Sequence, residues 1–180
     1  MPDRLGLNPT QIVGVLAFLG ATLASSVAVA RSRATEARGW VLLACLNGLF
    51  AVEVMAGFRH RIHDFAAHAA TLEGAYATRA TGQTVIIAAV AAGLIAGIGM
   101  ILKSMASQTW PVRAAGVIAA ALVGLFAVEG VSLHAIDALL WRPILQVRIV
   151  GWLWATGALA TSLCAASTYG TGRRGGAGAR

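Results

Sequence analysis

The sequence predicts an all-α integral membrane protein with five transmembrane helices, and three observations carry that expectation. Of its 180 residues, 58% are hydrophobic and 12% are charged, whereas soluble domains carry about 25% charged residues. Mean hydropathy is +0.74, which excludes a disordered chain, since those are poor in apolar residues. The apolar residues also fall into five windows near the length of roughly 20 residues that crosses a bilayer core of about 30 Å. None of these windows alternates polar and apolar residues as a barrel strand does.

The first window, Leu7 to Ala30, carries no charge, and Asn8 before Pro9 reads as an N-cap followed by proline at the first helical position. Ala28-Val29-Ala30 resembles a leader cleavage site. Against that, Asp3 offsets Arg4, and Arg31, Arg33 and Arg38 form a stop-transfer cluster, so the helix is expected to be retained. Gly39 to Phe58 holds one charge, Glu53. Ala80 to Leu102 holds none, and its Gly93 and Gly97 have the spacing of a close helix contact. Ala114 to Leu140 contains Glu129, His134 and Asp137, and Ile149 to Gly170 is again charge-free. Helices are therefore expected over 8–30, 39–60, 81–103, 113–140 and 148–169, forming one domain (1–170) ahead of a flexible basic tail (171–180). Trp40, Trp110 and Trp141 stand at expected helix ends and suit an aromatic belt. Trp152 and Trp154 read as lipid anchors or as part of a site wall. Cys45 and Cys164 read as small core residues, without a disulfide.

An internal repeat refines this architecture. Gly48-Leu49-Phe50-Ala51-Val52-Glu53 recurs letter for letter as Gly124-Leu125-Phe126-Ala127-Val128-Glu129. Helices two and four become equivalent, giving two hairpins in a weak parallel repeat plus an extra N-terminal helix. Chance is the competing reading in a chain so rich in Ala, Leu, Val and Gly, but six identities that include Phe and Glu weigh against it.

The formal net charge of +7 points to topology and anionic lipid, not to nucleic acid, because no basic patch is interleaved with aromatics. One set of connections with the C-terminal tail holds eight Lys and Arg, and the other side holds six. The excess favours an N-terminus outside and a cytoplasmic C-terminus in a bacterial-type inner membrane.

The scarce polar residues define a candidate site. By helical rise, Glu53 lies about 21 Å and Glu129 about 24 Å from the inner end, so the two carboxyls share one depth. An ionisable residue in a membrane costs roughly 2.5–3.5 kcal/mol on insertion scales and faces the bundle interior or a polar cavity. If helix two continues, Glu53, His60, Asp64 and His68 follow spacings of seven, four and four and share one stripe. His134 and Asp137 stand at i,i+3 on helix four, and His60 and His134 both fall near 31 Å by the same rise. Imidazole and carboxylate on facing helices are how helical bundles bind transition metals. His60, Asp64, His68, His134 and Asp137 are thus the metal ligands expected, for Cu, Fe or Zn. Alternatively, His60 and His134 would be axial ligands of haem b. Glu53 and Glu129 would be further ligands or proton-handling groups, with Arg148 as an ion-pair partner. The plainer reading leaves the histidines solvated among lipid headgroups and Arg59 and Arg61 on lipid phosphate.

Three functions fit. The first is a small subunit of a larger electron-transfer or oxygenase-type membrane complex, built around the Glu/His/Asp site. The second is a proton- or ion-coupled carrier or channel using Glu53 and Glu129. The third is a structural accessory subunit contacting other membrane subunits. No nucleophile elbow, phosphate-binding glycine loop or Cys-x-x-Cys pair is present in the sequence, and no reaction is named by it.

Overall fold

The structure is a computed structural model that describes residues 7–57, 79–131 and 138–174. Among the described residues five long helices occur: α1 (Pro9–Arg31), α2 (Ala34–Ala56), α3 (Arg79–Met105), α4 (Trp110–Val131) and α5 (Ile149–Arg174). Four of them, α1, α2, α4 and α5, have segments long and apolar enough to cross a membrane; in α3 the apolar stretch among the described residues is Ala91–Met105. This is the architecture of an all-α, multi-pass membrane protein.

Several helix boundaries among the described residues have a local cause. Asn8 caps α1 in a capping box: Gln11 N–H donates to Asn8 Oδ1 at 2.9 Å, and Asn8 N–H donates to Gln11 Oε1 at 3.0 Å. Only Ser32 and Arg33 separate α1 from α2, which makes the two antiparallel neighbours. Helix α2 begins at Ala34, ahead of the apolar window, because helical hydrogen bonding continues into the charged residues that the window leaves out. It stops at Gly57, whose φ of 62° places it in the left-handed region and whose N–H donates to Glu53 O at 2.7 Å. Between α3 and α4, Ala106 N–H donates to Lys103 O and Gln108 N–H to Met105 O, closing a tight turn.

A feature without a sequence signal precedes α5. Pro143–Ile144 and Val147–Arg148 form a two-stranded antiparallel hairpin, with Pro143 opposite Arg148 and Ile144 opposite Val147. Its two turn residues, Leu145 (φ 52°) and Gln146 (φ 67°), are both left-handed, as a type I′ turn demands. Glycine or asparagine normally occupies these positions, so apolar Leu and amide Gln conceal the turn.

Helix α1 packs on α2 and α5, and α4 packs on α5, α3 and α2. One buried cluster unites Phe18, Phe50, Ala51, Leu122 and Trp154, and a second unites Ala28, Trp40, Leu43, Met105 and Val112. Trp40 therefore belongs to the core, fully buried, and not to an interfacial belt. Outward faces are apolar as well: Leu16, Leu19 and Leu23 on α1 and Leu159 and Leu163 on α5 are all at least half exposed. A water-facing helix would carry polar residues there. Serine and threonine hydroxyls instead donate to carbonyls one turn back, as Thr22 to Phe18 O, Ser162 to Ala158 O and Thr161 to Gly157 O. That local satisfaction avoids an unpaired polar group in hydrocarbon.

Close approach occurs on glycines other than those the spacing singles out. A Cβ at Gly93, Gly97 or Gly99 would meet nothing within 4 Å among the described residues, whereas one at Gly14 would lie 2.7 Å from Trp154 Cε3. Cys45 is exposed and Cys164 half-buried, both as free thiols, so Cys45 is not the core residue expected of it.

Candidate functional site

A polar cavity of 230 Å3 opens at the end of the bundle where α1 and α5 begin and α2 finishes, beside the last described residues of α4. Its walls come from Asn8, Thr10 and Gln11 of the α1 start, Val54 and Gly57 of the α2 end, and Glu129 of α4. Trp141, Arg148, Val150 and Trp154 complete it. Polar groups reach this point because every helix terminus leaves backbone donors or acceptors to satisfy. Gln11 Nε2 donates to Val54 O at 3.2 Å, serving one of the last carbonyls of α2. Arg148 N–H donates to Thr10 Oγ1 at 3.0 Å, fastening the hairpin to the first turn of α1.

Glu129 is the buried ionisable group of the cavity, 8% exposed. It stands on α4 three residues after Phe126, and a carboxyl buried there needs a donor. Trp154 supplies one: its indole N–H donates to Glu129 Oε1 at 3.2 Å. Trp154 is itself held from behind. Its ring stacks on Phe126 at 5.5 Å with planes 8° apart, Phe126 stacks on Phe50 at 4.9 Å, and Phe18 lies 5.3 Å from Phe50. The ring presses against Gly14 of α1, where a side chain would collide with it.

Arg148 and Glu129 line the same cavity. The Arg148 guanidinium carbon sits 4.0 Å above the Trp141 ring centre, a cation–π contact at the cavity wall. Glu53 is half-buried in the last turn of α2 and is not among the lining residues; its neighbour Val54 is. The other expected ligands, His60, Asp64, His68, His134 and Asp137, lie outside the described residues. Among the described residues no group of three or more His, Cys, Asp or Glu side chains is placed to hold a metal ion.

Sequence reasoning missed Gln11 and Thr10 and left Trp154 open between a lipid anchor and a site wall. For Trp154 a signal existed. Trp152 and Trp154 are two residues apart, about 200° around a helix, so they point to opposite sides. Trp152 is accordingly 40% exposed and donates to Ile144 O, while Trp154 is 2% exposed and faces Glu129. Gln11 and Thr10 are ordinary residues in the sequence, recruited by a tertiary contact. Comparison of the chain with protein-family models, curated proteins and solved structures gives no match.

Proposed function

We propose that the protein is a proton- or cation-coupled membrane carrier or channel whose working group is Glu129. One observation carries this reading: a carboxyl 8% exposed forms part of the wall of a polar cavity at the end of an otherwise apolar bundle. A carboxyl in such a place is neutral or matched by a cation, and exchanging those two conditions is what coupling to an ion requires. Glu53 is the partner carboxyl in the first copy of the repeated segment, and the equivalent rings Phe50 and Phe126 stack on each other. The positive charge count puts the cavity on the outer side of a bacterial-type inner membrane, with the C-terminus in the cytoplasm.

The test is pH-dependent flux in liposomes containing the purified chain and a trapped pH dye. Glu129→Gln is expected to abolish flux and Glu53→Gln to reduce it severalfold. Flux indifferent to both substitutions removes the proposal.

A second reading, a metal- or haem-bearing subunit of an electron-transfer or oxygenase-type complex, is favoured by the course of the chain. Gly57 and Glu129 both line the cavity, and the sequence runs on from the first to His60, Asp64 and His68 and from the second to His134 and Asp137. Native preparations with neither bound Cu, Fe or Zn nor a haem Soret band would end it.

A further inference from the structure

At the opposite end of α4 from Glu129, an apolar groove of 420 Å3 runs between α3 and α4. Leu102 and Met105 of α3 and Val117 and Ile118 of α4 line it, with Trp110 and Arg113 also in its wall. Met105 is the only buried side chain of these; it packs against Gly116 and forms the floor. Leu102 is 41% and Val117 56% exposed, so the groove is open along the lipid-facing surface. Residues 113 and 129 are separated by about 24 Å of helix, which puts the groove and the Glu129 cavity at different membrane faces.

The chemistry of the groove changes along its length. Its interior is hydrocarbon, and its end holds a guanidinium and an indole. Trp110 opens α4 and is 73% exposed, the placement of a ring at headgroup level. Arg113 is exposed one turn further on, and Lys103, next to the lining residue Leu102, is exposed on α3. No acidic residue occurs between Gly74 and Val128, and at this end of the bundle the first turn of α2, whose Gly39 packs near Val112, brings the single carboxylate Glu36 against these two cations and the arginines Arg31, Arg33 and Arg38. An apolar slot ending in the Arg113 guanidinium and an interfacial tryptophan, with Lys103 one residue beyond its lining, is complementary to an acyl chain ending in a phosphate. A second copy of the chain would have to bring an acidic group to the same point, and each of the outward stripes of α1 and α5 is leucine.

We infer that the α3–α4 groove is a binding site for one anionic glycerophospholipid, an acyl chain lying along Leu102, Val117 and Ile118 and the phosphate held by Arg113 and Lys103. A basic side chain near an anionic headgroup contributes about 1 kcal/mol, equivalent to about 5-fold in affinity. Arginine adds a forked donor that fits phosphate oxygens in pairs.

Native mass spectrometry of the full chain released from neutral detergent tests the site. The probes are phosphatidylglycerol and phosphatidylcholine with identical acyl chains. The chain is expected to retain one phosphatidylglycerol in preference to phosphatidylcholine. Arg113→Gln should lower that retention about 5-fold, with Arg113→Lys restoring most of it, in line with the value of one basic contact. Val117→Trp, which fills the groove from its exposed side, should abolish it, and Leu163→Trp on the outer face of α5 should leave it unchanged. Equal retention of the two lipids by the unmodified chain overturns the inference, as does phosphatidylglycerol retention indifferent to either Arg113→Gln or Val117→Trp. A lipid-free dimer that Val117→Trp converts to monomer overturns it in favour of a second copy in the groove.

Discussion

Replacing Trp154 by phenylalanine isolates the contact on which the cavity depends. The substitution keeps an aromatic ring against Phe126, whose ring centre is 5.5 Å from that of Trp154 and nearly parallel to it, and removes the donor that reaches Glu129 Oε1 at 3.2 Å together with part of the ring. A buried acceptor that loses its partner costs about 1–3 kcal/mol. The 3.2 Å separation is at the long end of N–H···O bonds, which argues for about 1–2 kcal/mol here. The smaller ring leaves space beside Gly14 and Val54 that adds about 1 kcal/mol, so Trp154→Phe should destabilise the bundle by about 2–3 kcal/mol. Reversible unfolding in mixed detergent and dodecyl sulfate micelles, followed by far-ultraviolet circular dichroism, measures it. Because Glu129→Leu alone removes every contact of that carboxyl, the pair is read from a double-mutant cycle. Coupling of about 1–2 kcal/mol is expected from the lost hydrogen bond. Single-site effects that simply add, within about 0.5 kcal/mol, would refute the claim that Trp154 and Glu129 act as one unit.

Two further substitutions probe the frame around that pair. Gly14→Ala places a Cβ 2.7 Å from Trp154 Cε3 and 3.1 Å from Val54 Cγ1, and such overpacking should cost about 1–3 kcal/mol in the same unfolding assay. Replacing Leu145-Gln146 with Asn-Gly should stabilise the protein by about 1–2 kcal/mol, because two left-handed residues are relieved of Cβ strain; a loss of stability would show that the turn residues make contacts worth more than their strain.

The long apolar windows made the membrane helices legible because the cost of unpaired backbone in lipid leaves few alternatives to helix. Asn8 was legible as a cap for a similarly local reason, since its side chain serves a donor three residues away. What hydropathy conceals is direction. It marks where a helix crosses and says nothing of which flank meets protein, because lipid and protein interior are equally apolar. Trp40 and Trp154 therefore looked like interfacial rings and are core residues, while Gly93 and Gly97 looked like a contact and meet no described neighbour. Glu129 stood out in the sequence by its cost in lipid. Its surroundings did not, for they are assembled from the starts of α1 and α5, the end of α2 and a hairpin that are far apart in the chain. The hairpin itself was hidden because Leu145 and Gln146 take a conformation that neither residue favours.

The stacked rings behind Glu129 make the site its own optical reporter. Trp154 donates to the carboxyl from its nitrogen while its face is held against Phe126, which is held in turn against Phe50. An ion that takes over the Glu129 oxygens must weaken or redirect the indole N–H, and the ring cannot answer by rotating freely because Gly14 and Phe126 confine it. Occupancy of the cavity is thereby written into the near-ultraviolet circular dichroism, as the part of the tryptophan signal that Trp154→Phe removes, and a titration needs no attached label.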